Sequence, residues 1–255
     1  MTVRGSWLHC WLVLLACQAV AFSDDDAEPG RPAPQDQRPV GSYDDTVARQ
    51  PSATRSQLNL AAEQLEQGNP SAACELLGSY LKTRPWQLPV RWQYAELLAA
   101  LERREQARLE YQRFLAQAQE RGSETERQRI QCHLRLMQLA EAEDDEYSRR
   151  LHRGLGLYLL ALQRLELGDA GGELPVEGLL CRAAGELTTA HLYRPDAAQP
   201  CWYLHKVWSA LGQRTTALRW LERTHALAPF TYLTPTEQHG LALALRLEER
   251  RRPRP

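Results

Sequence analysis

The strongest constraint on the fold is a set of positions that recurs along the chain with a period of about 34 residues. In the first clear copy these positions hold, in order, Leu60, Ala61, Gly68, Ala73, Leu77 and Pro85. A shift by one period matches them with Tyr94, Ala95, Glu102, Ala107, Tyr111 and Gln119, so that two positions depart from the pattern. Near the C-terminus the same positions hold Leu204, His205, Gly212, Ala217, Leu221 and Pro229.

This spacing is typical of pairs of antiparallel helices, in which small residues let two backbones approach and larger residues fill the gaps. One pair cannot bury both of its faces, so neighbouring pairs must stack. The pattern resembles the tetratricopeptide repeat over residues 56 to 230. That resemblance implies an all-α solenoid of helix-turn-helix units, wound into a right-handed superhelix with a concave inner surface.

We therefore predict an all-α fold without a sheet, because no segment shows sustained alternation of apolar and polar residues. Ten helices are expected, the last of them a capping helix, at 56–67, 70–83, 88–103, 105–121, 123–142, 145–167, 175–193, 198–211, 214–228 and 234–250. The domain spans 56–250 and is followed by a short basic tail, 251–255.

Local signals mark several helix ends. Asn69-Pro70 supplies an N-cap and a first-turn proline, and Ser123-x-x-Glu126 and Thr234-x-x-Glu237 match the capping box. Pro235 stands at the first position of the last helix, and helices are expected to stop before Pro85, Pro195 and Pro229.

The centre of the chain departs from the period. One period before Ala217 stands Ala183, with Leu187 and Pro195 at the positions of Leu221 and Pro229. The interval from Ala107 to Ala183 is two repeats plus eight further positions. We expect the excess in longer helices around 147–165 and in the glycine-rich loop 168–173. Gly154 and Gly156 inside a helix each cost about 1 kcal/mol relative to alanine, which close helix packing would justify. The spacing of Gly154, Tyr158 and Ala161 also imitates a second helix, which would place two helices of the same type in succession.

Tetratricopeptide arrays are similar in acting as binding scaffolds, which implies a protein or peptide ligand in a concave groove lined by the first helices. The candidate partner-binding residues on that side are Trp92, Gln93, Glu96, Trp202, Tyr203 and Lys206. Aromatic side chains beside a charge suit peptide recognition by burial plus a charge-assisted hydrogen bond. The alternative is that the two tryptophans simply pack between helices. A second alternative function is a structural component of an envelope complex that has no specific peptide groove.

The N-terminus predicts export. Residues 1–21 combine Arg4, an apolar stretch and the small-residue end Ala19-Val20-Ala21, which indicates a signal peptide cleaved before Phe22. The apolar stretch is too short to span a bilayer. Leu14-Leu15-Ala16-Cys17 also resembles a bacterial lipobox, which would make Cys17 a lipid attachment site. The periplasm or cell envelope is the expected location, and residues 22–55, rich in proline and aspartate, are expected to be a disordered linker.

Composition and motifs disfavour other classes of function. With 31 basic and 32 acidic residues, the chain has no global positive field for nucleic-acid binding. No H-E-x-x-H, G-x-S-x-G or phosphate-binding loop occurs, so an enzyme is not expected and no cofactor is implied. Cys132-His133 and the pair Cys201 and His205 each offer only two metal ligands, so a metal-dependent enzyme is the weakest alternative. Four mostly buried thiols are expected, at Cys74, Cys132, Cys181 and Cys201.

Cleavage before Phe22 and lipidation at Cys17 would give mature proteins of different mass. We expect the mature protein to begin at Phe22, and intact-mass measurement of protein purified from its native host checks this. A mature chain that begins at a diacylated Cys17 would contradict plain cleavage and establish a lipid tether.

Overall fold

A computed structural model describes residues 50–118, 125–168 and 174–251, with side chains from residue 57 onward. The described residues form ten α-helices and contain no strand, which confirms the predicted all-α class. The helices are α1 Gln50–Glu66, α2 Pro70–Thr83, α3 Leu88–Ala100, α4 Arg104–Ala118, α5 Glu126–Glu141, α6 Glu146–Leu167, α7 Val176–Tyr193, α8 Ala198–Ala210, α9 Arg214–Leu227 and α10 Pro235–Arg251. None of these helices has both the length and the apolar character that a membrane span requires.

Most helix boundaries fall within a few residues of the predicted ones. The exception is α1, which begins at Gln50 rather than at residue 56. The predicted signal peptide, Cys17, most of the predicted linker, the capping box at Ser123 and the tail beyond Arg251 lie outside the described residues.

The chain divides into two compact units, Met1–Glu102 and Arg103–Pro255. In the first unit, α2 packs against both α1 and α3. Its apolar core includes the alanines of the repeat together with larger side chains, namely Ala61, Ala73, Leu77, Tyr80, Leu81, Ala95 and Leu98. A Cβ added to Gly78 of α2 would lie 3.0 Å from Oη of Tyr94 on α3, so these two helices also approach closely.

In the second unit each helix packs against the next, and α6 contacts α8 in addition to α5 and α7. The main core lies among α6, α7, α8 and the residues that follow, with Leu155, Leu159, Leu180, Leu187, Leu204, Val207 and Leu221 among its buried members. Stacked helix pairs of the tetratricopeptide kind therefore describe the architecture, as the sequence predicts.

A turn of similar geometry recurs between successive helices. Residues 68, 102, 144 and 212 all have positive φ, although only the first and last are glycines; Glu102 and Asp144 have φ of 60° and 54°. In three of the turns the amide N–H of the next residue donates a hydrogen bond back to the helix, as in a Schellman cap. These bonds join the amides of Asn69, Asp145 and Gln213 to the carbonyl oxygens of Gln64, Ala140 and Trp208, respectively. The turn geometry is therefore kept even where the residue is not glycine.

These turns locate the irregularity. Glu102 follows Gly68 by one period, and Gly212 follows Asp144 by two periods, so the extra eight positions fall between Glu102 and Asp144. The long helix expected around 147–165 is nevertheless present, as α6. Between Asp144 and Gly212 the described residues, 144–168 and 174–212, form three helices where two regular repeats would have four. Two of them are long, since α6 has 22 residues and α7 has 18.

The two glycines of α6 allow close packing against two different helices. A Cβ on Gly154 would lie 2.7 Å from Cγ of Leu187 and 3.3 Å from the carbonyl oxygen of Ala183, both on α7. A Cβ on Gly156 would lie 3.6 Å from Cβ of His133 on α5. α6 therefore packs against both adjacent helices and belongs to two hairpins, which explains its resemblance to a second helix.

Several predicted helix ends are confirmed. Asn69 Oδ1 accepts a hydrogen bond from the amide N–H of Ala72, with Pro70 at the first helical position. Thr234 and Glu237 form the reciprocal capping box of α10, with N···O distances of 2.8 and 3.2 Å. α2, α7 and α9 end before the three predicted prolines.

Gly154→Ala tests the close contact between α6 and α7. We expect it to lower the free energy of unfolding by roughly 1–3 kcal/mol, because Cβ would overlap Leu187. Gly185→Ala, on the exposed side of α7 with nothing within 4 Å of its Cβ, is the matched control and should stabilise by up to about 1 kcal/mol. Denaturant unfolding checks both values, and equal stabilisation by the two substitutions would contradict the contact.

Candidate functional site

On α3 the predicted binding residues lie on the more accessible side of the helix. Trp92, Gln93 and Glu96 are each partly exposed. At 100° per residue they fall within one half of the helix circumference, and the buried residues occupy the other half; the buried set is Leu88, Val90, Arg91, Ala95, Leu97 and Leu98. We call this half, defined by Trp92, Gln93 and Glu96, the α3 face.

The corresponding residues of α8 are buried. Trp202 and Tyr203 are 5% and 7% exposed, although they stand at the same repeat positions as Trp92 and Gln93. α10 covers them: a Cβ on Gly240 would lie 2.9 Å from Cζ2 of Trp202. Trp202 therefore packs between helices, as the alternative interpretation of the tryptophans expected.

A buried carboxylate helps to hold α10 against α8. Glu237, 3% exposed, accepts hydrogen bonds from the amide N–H of Thr234 and from Nε2 of Gln199, at 2.8 and 3.1 Å. A further hydrogen bond joins it to Tyr203. Burial raises the pKa of Tyr203 well above its usual range, and the Glu237 carboxylate adds to this effect, so the phenol stays protonated and donates.

Lys206 is the partly exposed member of the α8 set. Its Nζ lies 5.7, 5.6 and 5.4 Å from the ring centroids of Tyr158, Trp202 and Tyr203. Burial lowers the pKa of Lys206, while the Glu237 carboxylate acts in the opposite direction. A cation held over aromatic faces gains about 0.5–2 kcal/mol, so Lys206 is positioned by the rings around it.

The histidines of the second unit are packed side chains. His205 stands where the first two repeat copies have alanine, and its Nδ1 lies 3.0 Å from the carbonyl oxygen of Ala217 while its ring stacks on Trp202. His133 and His152 meet between α5 and α6, with their Nδ1 atoms 3.2 Å apart. No group of three or more His, Cys, Asp or Glu side chains in the described ranges converges as metal ligands would.

The cysteine environments differ. Cys74, Cys132 and Cys201 are buried as expected, whereas Cys181 is exposed. Burial raises the pKa of the Cys201 thiol to about 11, so it is protonated at neutral pH. A protonated buried thiol is a weak nucleophile.

A cleft that the sequence did not predict lies between α7 and α9. It has a volume of about 420 Å³ and is lined by His191, Thr216, Arg219, Trp220 and Arg223. The sequence signal was the set of α9 residues at spacings of three and four, which shares one helix face. That face becomes a cleft only because α7 stands beside it.

The comparisons with known proteins add little to this description. No protein-family model and no curated protein sequence matches the chain. Among solved structures, a crystal structure of MamA protein aligns at a TM-score of 0.35 and 12% identity, covering 72% of this chain and 99% of that one. MamA 41-end from Desulfovibrio magneticus RS-1 aligns at a TM-score of 0.29 and 14% identity, covering 69% and 95%. Because these TM-scores are low, the repeat architecture rests on the helix pairs and turns themselves.

Stacked helix pairs of this kind present helix faces to other proteins and usually act as protein-interaction scaffolds. The α3 face belongs to the first unit, whereas Lys206 and the α7–α9 cleft belong to the second. As partner-binding residues, the six positions on α3 and α8 stay predictions.

The His133–His152 pair predicts a dependence of stability on pH. Burial lowers the pKa of both rings, that of His152 to about 4. At His152 the negative charge of Asp145 opposes this shift and the positive charge of Arg108 adds to it. At His133 the positive charge of Arg129 adds to the shift. The unfolded chain therefore binds more protons between about pH 4 and 6.5, and stability falls as the pH falls through that window. From pH 7 to 5 we expect His152 to account for a loss of roughly 2 kcal/mol.

His152→Gln should flatten this part of the profile, and unfolding by urea at several pH values measures it. His239→Gln, at an exposed histidine of α10, is the control and should leave the profile unchanged. If the His152 variant keeps the full loss of stability between pH 7 and 5, the His133–His152 pair is not the source of that loss.

Proposed function

We propose that this protein is a non-enzymatic scaffold of the cell envelope that binds a protein or peptide partner through the first helices of its repeats. The observation that carries the proposal is the α3 face, where Trp92 and Glu96 lie one helical turn apart on the accessible side of a helix whose other side is core. A partly exposed indole beside a carboxylate suits a peptide that brings an apolar side chain and a hydrogen-bond donor.

The α8 set has a different role in this proposal. Trp202 and Tyr203 are covered by α10, so they support the shape of the second unit rather than offering surface to a partner. Lys206, partly exposed above three rings, is the member that a partner would contact. Its ammonium group would donate a hydrogen bond to a carbonyl or carboxylate oxygen of the bound chain.

Export is the second element of the proposal. It is supported by the residue pattern of 1–21, with its apolar stretch and its small-residue end before Phe22. Attachment through Cys17 would add a lipid tether to the scaffold.

The competing proposal is a structural envelope component that has no specific peptide-binding face. Its partner contacts would be spread over the surface of the repeats, so no single side chain would dominate them. Substitution of Trp92 therefore distinguishes the two proposals, because removing a tryptophan from a specific interface commonly costs about 2 kcal/mol or more of binding free energy.

The test places a photo-crosslinking amino acid at position 93 in the native host and identifies the captured protein by mass spectrometry. We expect one dominant adduct at position 93 and none at position 75, an exposed site on α2 that serves as the control. Adding Trp92→Ala should reduce the adduct by at least tenfold, and Glu96→Gln by a smaller factor.

Circular dichroism and the unfolding midpoint show whether Trp92→Ala keeps its fold. If the folded Trp92→Ala protein gives the same adduct yield, or if position 75 captures the same protein equally well, the α3 face is not a specific binding site. Either result would favour the structural proposal.

A further inference from the structure

The α7–α9 cleft combines cationic and aromatic groups. Arg219 and Arg223 stand one turn apart on α9, with Trp220 between them in sequence, and all three line the cleft. His191 of α7 closes the other side, its ring edge-on to the indole at a centroid distance of 5.5 Å and an angle of 89°. These groups come from two helices that the fold holds side by side.

The guanidinium groups are available to a ligand. No carboxylate among the described residues forms an ion pair with Arg219 or Arg223, whereas Arg108, Arg113, Arg149, Arg150, Arg153, Arg214 and Arg251 all have such a partner. Arg223 donates one hydrogen bond of 3.3 Å to the carbonyl oxygen of Pro195, which orients its side chain and leaves further N–H groups. Two exposed cations beside one cavity therefore remain without a counter-charge from these residues.

The remaining lining residues of the cleft, His191, Thr216 and Trp220, are uncharged at neutral pH or favour a neutral form. Cys201 Sγ lies 3.5 Å from Nδ1 of His191, so the buried thiol of α8 holds the imidazole from behind. Burial lowers the pKa of His191, with a smaller contribution from the positive charge of Arg223, so the ring favours its neutral form. A neutral imidazole and an indole at right angles form an uncharged aromatic corner next to the two positive charges.

This arrangement selects among ligand classes. Guanidinium groups bind carboxylates by paired hydrogen bonds, and the neighbouring rings favour an apolar group attached to that carboxylate. The volume of about 420 Å³ lies in the range of small-ligand and side-chain pockets and exceeds what a bare inorganic anion fills. Two arginines on a chain with formal net charge −1 do not make the extended positive surface that nucleic acid requires.

We propose that the α7–α9 cleft binds an acidic peptide segment, with a carboxylate held by Arg219 and Arg223 and an adjoining apolar side chain packed against Trp220 and His191. This site goes beyond the proposed function, because it lies on different helices. α7 and α9 are second helices, identified by Ala183 and Ala217, whereas the partner-binding residues of the proposed function lie on first helices. The scaffold then has a second binding surface, and its preference for acidic groups is opposite to that of the Glu96 carboxylate on the α3 face.

The test measures fluorescence anisotropy of a labelled twelve-residue peptide of alternating glutamate and leucine with the full mature chain. A peptide with glutamine in place of glutamate is the uncharged probe, and inorganic phosphate is the competing small anion. We expect binding of the glutamate peptide, at least tenfold weaker binding of the glutamine peptide and no displacement by phosphate at matched ionic strength.

Arg219→Gln with Arg223→Gln should weaken binding of the glutamate peptide at least tenfold. The matched control is Arg246→Gln with Arg250→Gln, an exposed pair on α10 with the same spacing and the same change in net charge, which should leave the affinity unchanged. Trp220→Phe, which keeps an aromatic face, should have a smaller effect than Trp220→Ala. Circular dichroism checks that each variant is folded.

Several results would overturn the proposal. They are absence of binding to the wild-type chain at millimolar protein, equal loss of affinity in the α9 and α10 double variants, or displacement of the peptide by phosphate, which would indicate an anion site without peptide recognition. Trp92→Ala should bind the glutamate peptide as the wild type does. If it alone loses the peptide, the probe occupies the α3 face, and the cleft proposal fails while the proposed function stands.

Discussion

The close approach of paired helices at small residues is the constraint on which the rest of the structure depends. Ala73, Ala107, Ala183 and Ala217 are all buried, with exposures of 0–3%. Ala73, Ala107 and Ala217 lie in the first turn of a second helix, whereas Ala183 lies in the middle of α7. The carbonyl oxygens of Ala183 and Ala217 are approached by the facing helix, at Gly154 and His205 respectively. A larger side chain at such a position would separate the two backbones and open the apolar core to water.

The same packing decides which faces remain for partners. α3 and α8 present equivalent residues at equivalent positions, yet Trp92 is partly exposed and Trp202 is buried. The difference arises from α10, whose Gly240 admits the indole ring and whose Glu237 is satisfied by hydrogen bonds within the interface. A terminal helix that caps a repeat array thereby converts a prospective binding face into core.

The α7–α9 cleft follows from the same regularity. α7 and α9 carry the second-helix alanines Ala183 and Ala217, one period apart, and the cleft lies between these two helices. On an isolated helix two exposed arginines would simply be solvated. Arg219 and Arg223 indicate a ligand-binding site only because α7 lies beside them and completes the cleft. Packing of α7 places His191 against Trp220 and turns the helix surface into a cavity.

The sequence by itself determined the class of fold, the number of helices and most of their ends, because period, caps and prolines act locally. It also located the small residues at helix contacts, including Gly154 and Gly156. Only the tertiary structure decided that Glu102 and Asp144 adopt the turn geometry of glycine, that α6 packs in two hairpins, and that α10 covers Trp202. Those features depend on which helices are neighbours in the fold. Residues far apart in the sequence determine this, because they pack together in a common core.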